Sequence, residues 1–352
     1  MQSTSRTTTR TAATRATGIL AALAATFLIA PTSGADTVIR TVVAGDAPFG
    51  VAISPDGSHA YVTNLAGDNV TTIDTSTWST TSVDVGQTPG GVAFTPDGSR
   101  AYVAQLTDGT VSVIDTATRT VAGTVTVGEQ PTSVAIAPDG TRAYVTNRGS
   151  NDVSVLDTAT GTVVSTIAVG DGPVWVALAP NGSRAYVSNL FGSSVSVIDT
   201  TTGTVADTIT VGNSPSGVAV TPDGKHVYVA NVDDDTVSVI DTTDDAVHAT
   251  IPVGDAPSGI AVAPDGRRVY VTISGDATLA AIDTTKNQVS TTVAVGLAPA
   301  GVAITPDGSH AYVANNTGSS VSVVTIEQST PAGSLGSLGS LDGLGSLGSL
   351  GS

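Results

Sequence analysis

Basic and acidic side chains recur along the chain at spacings that suit charge pairs or acid–base chemistry. Relative to a repeated proline, a histidine or arginine stands four residues later and an aspartate nineteen residues later. The six pairs are His59 with Asp74, Arg100 with Asp115, Arg142 with Asp157, Arg184 with Asp199, His226 with Asp241, and Arg268 with Asp283. In a seventh unit Thr325 takes the aspartate position, which leaves His310 without a paired acid.

These pairs are expected to face each other across two strands. A four-residue turn over 65–68 would place His59 directly opposite Asp74. Opposite charges in that position contribute about 0.2–1 kcal/mol. Their near-repetition around the molecule favours a scaffold role over a ring of catalytic acids and bases, with a solvated basic rim as the third interpretation. We predict no catalytic residue among them.

A second set of candidate residues lies where the repeats differ from one another. Phe49, Arg148, Trp175 and Phe191 fall near the loops that lead into a unit's first strand or join its second and third strands. Trp175 stands where the other units carry Gly50, Gly91, Ser133, Gly217, Gly259 and Gly301. An indole beside a central channel can be a platform for a ligand, or it can plug the channel by packing. Both interpretations stay open.

The run Asp233, Asp234 and Asp235 is a candidate site for a hard cation such as Ca²⁺, held through carboxylate oxygens. It departs from the twelve-residue calcium loop, which closes on a glutamate, because glutamate occurs only at Glu129 and Glu327. The sequence has no cysteine, no P-loop, no G-x-S-x-G motif and no dinucleotide fingerprint. We therefore expect no cofactor, with Ca²⁺ as the alternative.

All these residues belong to a repeat of about 42 residues. Its Pro-Asp-Gly turns begin at Pro55, Pro96, Pro138, Pro222, Pro264 and Pro306, with Pro180-Asn181-Gly182 as a variant, and each tyrosine lies six residues after one of these prolines. In the third unit, strands are predicted over 133–137, 143–147, 153–158 and 163–169. Four short antiparallel strands in each unit of 40–45 residues are typical of a β-propeller blade. The predicted fold is an all-β, seven-bladed propeller over residues 36–328.

The ends of the repeat predict how the ring closes. Residues 37–43 read as a fourth strand that precedes any first strand, whereas the final unit stops after its third strand near Val324. The N-terminal strand should therefore complete the last blade and leave no open sheet edge.

The repeat resembles that of YVTN-repeat β-propellers, the YncE-like secreted seven-bladed propellers. The similarity is carried by Tyr144-Val145-Thr146-Asn147, the Pro-Asp-Gly turn before it and the segment 153–158 after it. It covers residues 37–326, although Gln105 and Ile273 replace the asparagine in two units. The resemblance implies an extracytoplasmic propeller of a family without a single shared activity. A more distant similarity to lactonase-type and quinoprotein-type propellers brings no catalytic motif with it.

Residues 1–35 read as a secretory signal peptide, and residues 329–352 as a Gly/Ser/Leu tail that we expect to be disordered. The tail could instead serve attachment or export, and the leader could remain as an anchor. Cleavage after Ala35 would remove three arginines and take the formal charge from −17 to −20, which disfavours nucleic acid as a partner. We expect a secreted or cell-surface monomer without a transmembrane segment.

The predicted function is a non-enzymatic scaffold that binds a protein, glycan or small molecule on the variable loops around the channel. The alternative is a hydrolase of lactonase type or a relative of redox propellers. Enzymes bring acid, base or metal groups together in one pocket, whereas the repeated polar residues here are spread evenly.

Overall fold

Short apolar segments between Pro-Asp-Gly turns form strands because β-branched residues suit a pleated, buried surface and the turns interrupt each run. The computed structural model describes residues 36–327, so the predicted signal peptide and tail lie outside the described residues. Within this range no helix is both long and apolar enough to span a membrane.

The strands form seven four-stranded antiparallel sheets, each a blade. Blades one to three comprise β2 (Pro48–Ile53), β3 (His59–Asn64), β4 (Asn69–Asp74), β5 (Thr80–Asp84); β6 (Pro89–Phe94), β7 (Arg100–Gln105), β8 (Thr110–Asp115), β9 (Thr120–Thr126); and β10 (Pro131–Ile136), β11 (Arg142–Asn147), β12 (Asp152–Asp157), β13 (Thr162–Ala168). Blades four and five comprise β14 (Pro173–Leu178), β15 (Arg184–Asn189), β16 (Ser194–Asp199), β17 (Thr204–Thr210); and β18 (Pro215–Val220), β19 (His226–Asn231), a 3-10 turn (Val232–Asp234), β20 (Thr236–Asp241), β21 (Ala246–Pro252). Blades six and seven comprise β22 (Pro257–Val262), β23 (Arg268–Ile273), β24 (Thr278–Asp283), β25 (Gln288–Ala294); and β26 (Pro299–Ile304), β27 (His310–Asn315), β28 (Ser320–Thr325), β1 (Thr37–Val43).

The ring closes through the N-terminal strand, as predicted. Strand β1 pairs antiparallel with β28, with Thr37 opposite Thr325 and a register shift between Val38 and Arg40. Val42 of this strand is buried in an apolar cluster with Tyr312 of blade seven and Val62 of blade one. Strand pairing and core packing both cross the closure, so no blade is left incomplete.

The core lies between neighbouring blades. Each apolar cluster combines one face of a blade with the opposing face of the next, which explains why the second and third strands are buried on both sides. The tyrosine of the repeat fills this space, and Tyr102, Tyr186, Tyr228, Tyr270 and Tyr312 are at most 1% exposed. The first strands of successive blades contact one another around the centre and form the channel wall.

Candidate functional site

Two sets of loops emerge at opposite ends of the blades. One set, the loop face, consists of seven loops before the first strands and seven loops between the second and third strands. They are residues 44–47, 65–68, 85–88, 106–109, 127–130, 148–151, 169–172, 190–193, 211–214, 232–235, 253–256, 274–277, 295–298 and 316–319. The other set, the turn face, contains the Pro-Asp-Gly turns and the turns between third and fourth strands.

Phe49 and Trp175 meet across the channel near the loop face. Phe49 belongs to the first strand of blade one and Trp175 to the first strand of blade four. Their ring centroids are 6.0 Å apart, with an angle of 55° between the planes. Since blades one and four are not neighbours, this contact must cross the channel. Both side chains are half-buried, so part of each ring remains accessible.

Trp175 occupies a position where five of the other blades carry glycine and one carries Ser133. A Cβ added to Gly217 would lie 2.4 Å from the carbonyl oxygen of Ser258, and one added to Gly301 would lie 2.3 Å from that of Phe49. Close approach of adjacent first strands therefore requires glycine at those junctions. The junction between blades four and five admits a side chain, and Trp175 packs there against an apolar cluster that includes Val218.

The other two sequence candidates lie in neighbouring loops without joining the aromatic pair. Phe191 is 65% exposed and lies against Gly172, where an added Cβ would sit 2.4 Å from its ring. Arg148 donates from Nε and Nη2 to Oε1 of Gln130, at 3.3 and 3.2 Å. The sequence singled out neither Gln130 nor Leu297, which is 63% exposed on the same face.

A buried asparagine at the end of the second strand anchors the loop face. Asn64 donates from Nδ2 to Asn69 Oδ1 at 2.7 Å and to Thr71 Oγ1 at 2.9 Å, and its Oδ1 accepts from Gly45 N at 3.1 Å. Gln105 takes this position in blade two. Its side chain is fully buried, and neither amide atom has a hydrogen-bond partner within residues 36–327.

The three carboxylates of the aspartate run have separate partners. Asp233 accepts from the hydroxyl of Ser214, Asp234 from Asn213 N at 2.8 Å, and Asp235 from Ala256 N at 3.0 Å. In the part of the chain that the structure describes, no three His, Cys, Asp or Glu side chains converge as a metal site would require. The run thus ties together the loops of blades five and six.

The loop face is strongly acidic. Its fourteen loops contain ten acidic residues, all exposed: Asp46, Asp68, Asp108, Glu129, Asp171, Asp233, Asp234, Asp235, Asp255 and Asp276. Arg148 is the one basic residue in these loops, and it is half-buried. The resulting field favours cations over anions at this face.

The repeated pairs face each other on the turn face, but their side chains mostly contact other groups. The register places His59 opposite Asp74 and Arg142 opposite Asp157, and the other pairs follow. Arg142 Nη1 bonds to Asp157 Oδ2. The aspartates also accept hydrogen bonds within their own turns, as Asp199 does from Thr201 N at 2.8 Å and Thr202 N at 3.0 Å.

Several basic side chains reach the following blade instead. Two of these contacts are made with the residue four positions after a paired aspartate. That residue has positive φ in all six blades where it occurs: Trp78, Arg119, Gly161, Gly203, Asp245 and Asn287. Arg184 Nη1 bonds to Asp245 Oδ1 at 2.7 Å. Arg119 Nη2 donates to His59 Nε2 at 2.9 Å, since a guanidinium has only donors. Trp78 packs on Tyr312, with ring centroids 6.2 Å apart.

Hydrogen bonds keep the turn-face aspartates ionised. Ser54 Oγ, followed by the backbone and hydroxyl of Ser58, lowers the pKa of Asp56 to about 2. Thr305 and Ser309 do the same for Asp307, whose pKa is also lowered to about 2. The shifts arise from local turn geometry that recurs around the ring.

The chain is similar to a known protein family and to a solved structure. A family model described as "Lactonase, 7-bladed beta-propeller" matches residues 44–197, 156–251 and 240–342. Among solved structures, a chain of Kuenenia stuttgartiensis hydrazine synthase is similar, with 27% identity and a TM-score of 0.75. The similarity covers 81% of this chain and 97% of that chain. No curated protein sequence gave a match.

Proposed function

The chain belongs to the lactonase seven-bladed β-propeller family, and within that family we propose that it is a binding scaffold whose ligand occupies the loop face at the channel mouth. The proposal rests chiefly on the contact between Phe49 and Trp175, with ring centroids 6.0 Å apart across the channel. A half-buried aromatic pair with accessible ring surface, at the centre of a variable face, is suited to stack on a flat or apolar ligand group.

The polar groups support binding more than catalysis. Arg148, the basic residue of the loop face, is held by Gln130, and Asp234 and Asp235 accept from backbone N–H groups of neighbouring loops. The turn-face acids are engaged in their own turns. A catalytic site would need an acid or base directed at one reacting centre.

The ligand is a protein, glycan or small molecule that tolerates ten exposed acids around it. Nucleic acid does not fit, because its binding depends on lysine and arginine at phosphates. The signal-like sequence of residues 1–35 supports action outside the cytoplasm. The YVTN-type segment at 144–147 supports a narrower placement among YVTN-repeat propellers.

A thermal-shift screen of oligosaccharides, peptides and flat aromatic compounds, with and without divalent cations, tests the proposal. Hits are then titrated by intrinsic fluorescence in a Trp78→Phe background, where Trp175 is the remaining tryptophan. We expect a ligand that shifts both the midpoint and the Trp175 emission. A ligand that stabilises the protein but leaves that emission unchanged would place binding elsewhere.

Lactone hydrolysis is the second candidate, and the family match favours it. Water would add to the ester carbonyl and open the ring, which requires a base and a donor for the developing oxyanion. The loop face offers exposed carboxylates such as Glu129 and the guanidinium of Arg148. Acid release from sugar lactones at a rate that Arg148→Ala abolishes, while the melting temperature holds, would favour the enzyme over the scaffold.

A further inference from the structure

A cleft of about 690 Å³ opens on the loop face between blades two and three. It continues between the outer strands β9 and β13, away from the channel and the aromatic pair. Leu106, Val127 and Val163 provide apolar walls, and Asp108, Glu129 and Asp152 provide carboxylates. Such a volume exceeds one side chain and suits several residues of an extended polypeptide.

The carboxylates of this cleft retain acceptor capacity. Asp108 Oδ2 accepts from Gln87 N at 2.7 Å, and Asp152 Oδ1 accepts from Asn147 Nδ2 at 2.6 Å, so each keeps a second oxygen. The Glu129 carboxylate is exposed and accepts no hydrogen bond from the described residues. Val163 is 38% exposed and lies toward the other end of the outer strand, since it pairs with Leu156 whereas Asp152 pairs with Ala168.

We propose that this cleft binds an extended polypeptide segment carrying a lysine or arginine with apolar neighbours. A basic side chain would lay its aliphatic stem along Leu106 and Val127 and direct its charge to the carboxylates. The acidic surplus of the whole loop face steers such a segment toward the cleft. The inference rests on the proposed function in taking the loop face as the binding surface, and it goes beyond that function by adding a polypeptide site beside the channel mouth.

The experiment uses two fluorescein-labelled octapeptides, one alternating arginine and leucine and one alternating glutamate and leucine. Their anisotropy is measured with the full chain at low and high salt. Glu129→Lys should lower the affinity for the arginine peptide by about tenfold. The control Asp207→Lys makes the same charge change on the exposed outer strand of blade four and should change affinity less than about twofold, as expected for a distant, screened charge.

Val163→Thr keeps the side-chain shape on a strand and should weaken the arginine peptide by a few fold, because it removes apolar contact. If the two peptides bind equally, or if Glu129→Lys and Asp207→Lys weaken peptide binding equally, the proposed cleft site is contradicted. If Glu129→Lys has no effect while Trp175→Gly weakens binding, the cleft is wrong and the proposed function stands. If neither variant alters binding, this peptide does not use the loop face and the cleft proposal is contradicted, while the proposed function is decided separately by the ligand from the thermal-shift screen.

Discussion

The hydroxyl of Tyr270 in blade six donates a hydrogen bond to the carboxylate of Asp36, 3.1 Å away, just ahead of the first strand of the chain. Arg268 Nη1 lies 3.3 Å from the same carboxylate, and Glu327 N donates to it at 2.8 Å. The Asp36 side chain is 1% exposed. One buried acid thus joins both ends of the propeller chain to blade six.

Replacing Asp36 with alanine should destabilise the ring by on the order of 2–3 kcal/mol, because it leaves a tyrosine hydroxyl, a backbone N–H and a partly buried guanidinium without their acceptor. Unfolding in guanidinium chloride, followed by circular dichroism, measures the loss of stability. Asp207→Ala, on an exposed strand, is the matched control and should cost little. Equal losses in the two variants would mean that Asp36 does not hold the closure together.

The repeat predicted the blade number, the strand β1 and the cross-strand register of pairs such as His59 and Asp74. These features depend on spacing, which sequence records directly. The group that each basic side chain contacts could not be predicted in the same way, because in several blades that group belongs to the following blade. Arg184 finds Asp245, whereas Gly203 offers no such group and Arg142 pairs within its own blade.

The aromatic pair was only half predictable. Trp175 stood out because glycine or serine fills that position elsewhere, and Phe49 because it is large. Their contact depends on the channel width and on blade order around the ring, which no local pattern encodes. Aligning the repeats could have revealed that the residue four positions after each paired aspartate varies between blades. Trp78 and Arg119 are two examples.

The contribution of the Arg142–Asp157 ion pair to stability should be separable from that of the turn hydrogen bonds that Asp157 accepts. Asp157→Ala removes both the contact with Arg142 and the hydrogen bonds that Asp157 accepts from Ala159 N and Thr160 N, whereas Asp199→Ala removes only the equivalent turn bonds. Both variants should lower the melting temperature by at most a few degrees, with Asp157→Ala losing slightly more at low salt. A larger loss in Asp199→Ala at every salt concentration would contradict the assignment.

The folded propeller should lose stability at acidic pH, over the range that the lowered pKa values of two turn aspartates set. The pKa values of Asp56 and Asp307 fall from 3.8 to about 2 in the folded chain, so the folded state binds fewer protons than the unfolded state. The stability they contribute is present above pH 4 and is lost as pH falls toward 2. Melting temperatures measured from pH 5 to pH 2 should therefore decline.

Asparagine already serves in one of these turns, since Asn181 Oδ1 accepts from Ser183 N at 3.0 Å. The double variant Asp56→Asn/Asp307→Asn should thus keep the turns and show a shallower decline between pH 4 and pH 2. An unchanged slope would assign the acid sensitivity to other carboxylates.

The most direct test of the proposed function is the affinity of the ligand recovered from the screen for the Trp175→Gly variant. Glycine is the residue of most other blades at this position, so the variant should still fold, with a lower melting temperature because the packing of the indole against the cluster of Val218 is lost. With the indole removed from its partner Phe49, we expect the dissociation constant to rise at least about tenfold, while the turn-face control Trp78→Phe leaves it unchanged. If Trp175→Gly binds as tightly as the parent, Trp175 is a channel plug and the ligand site lies elsewhere.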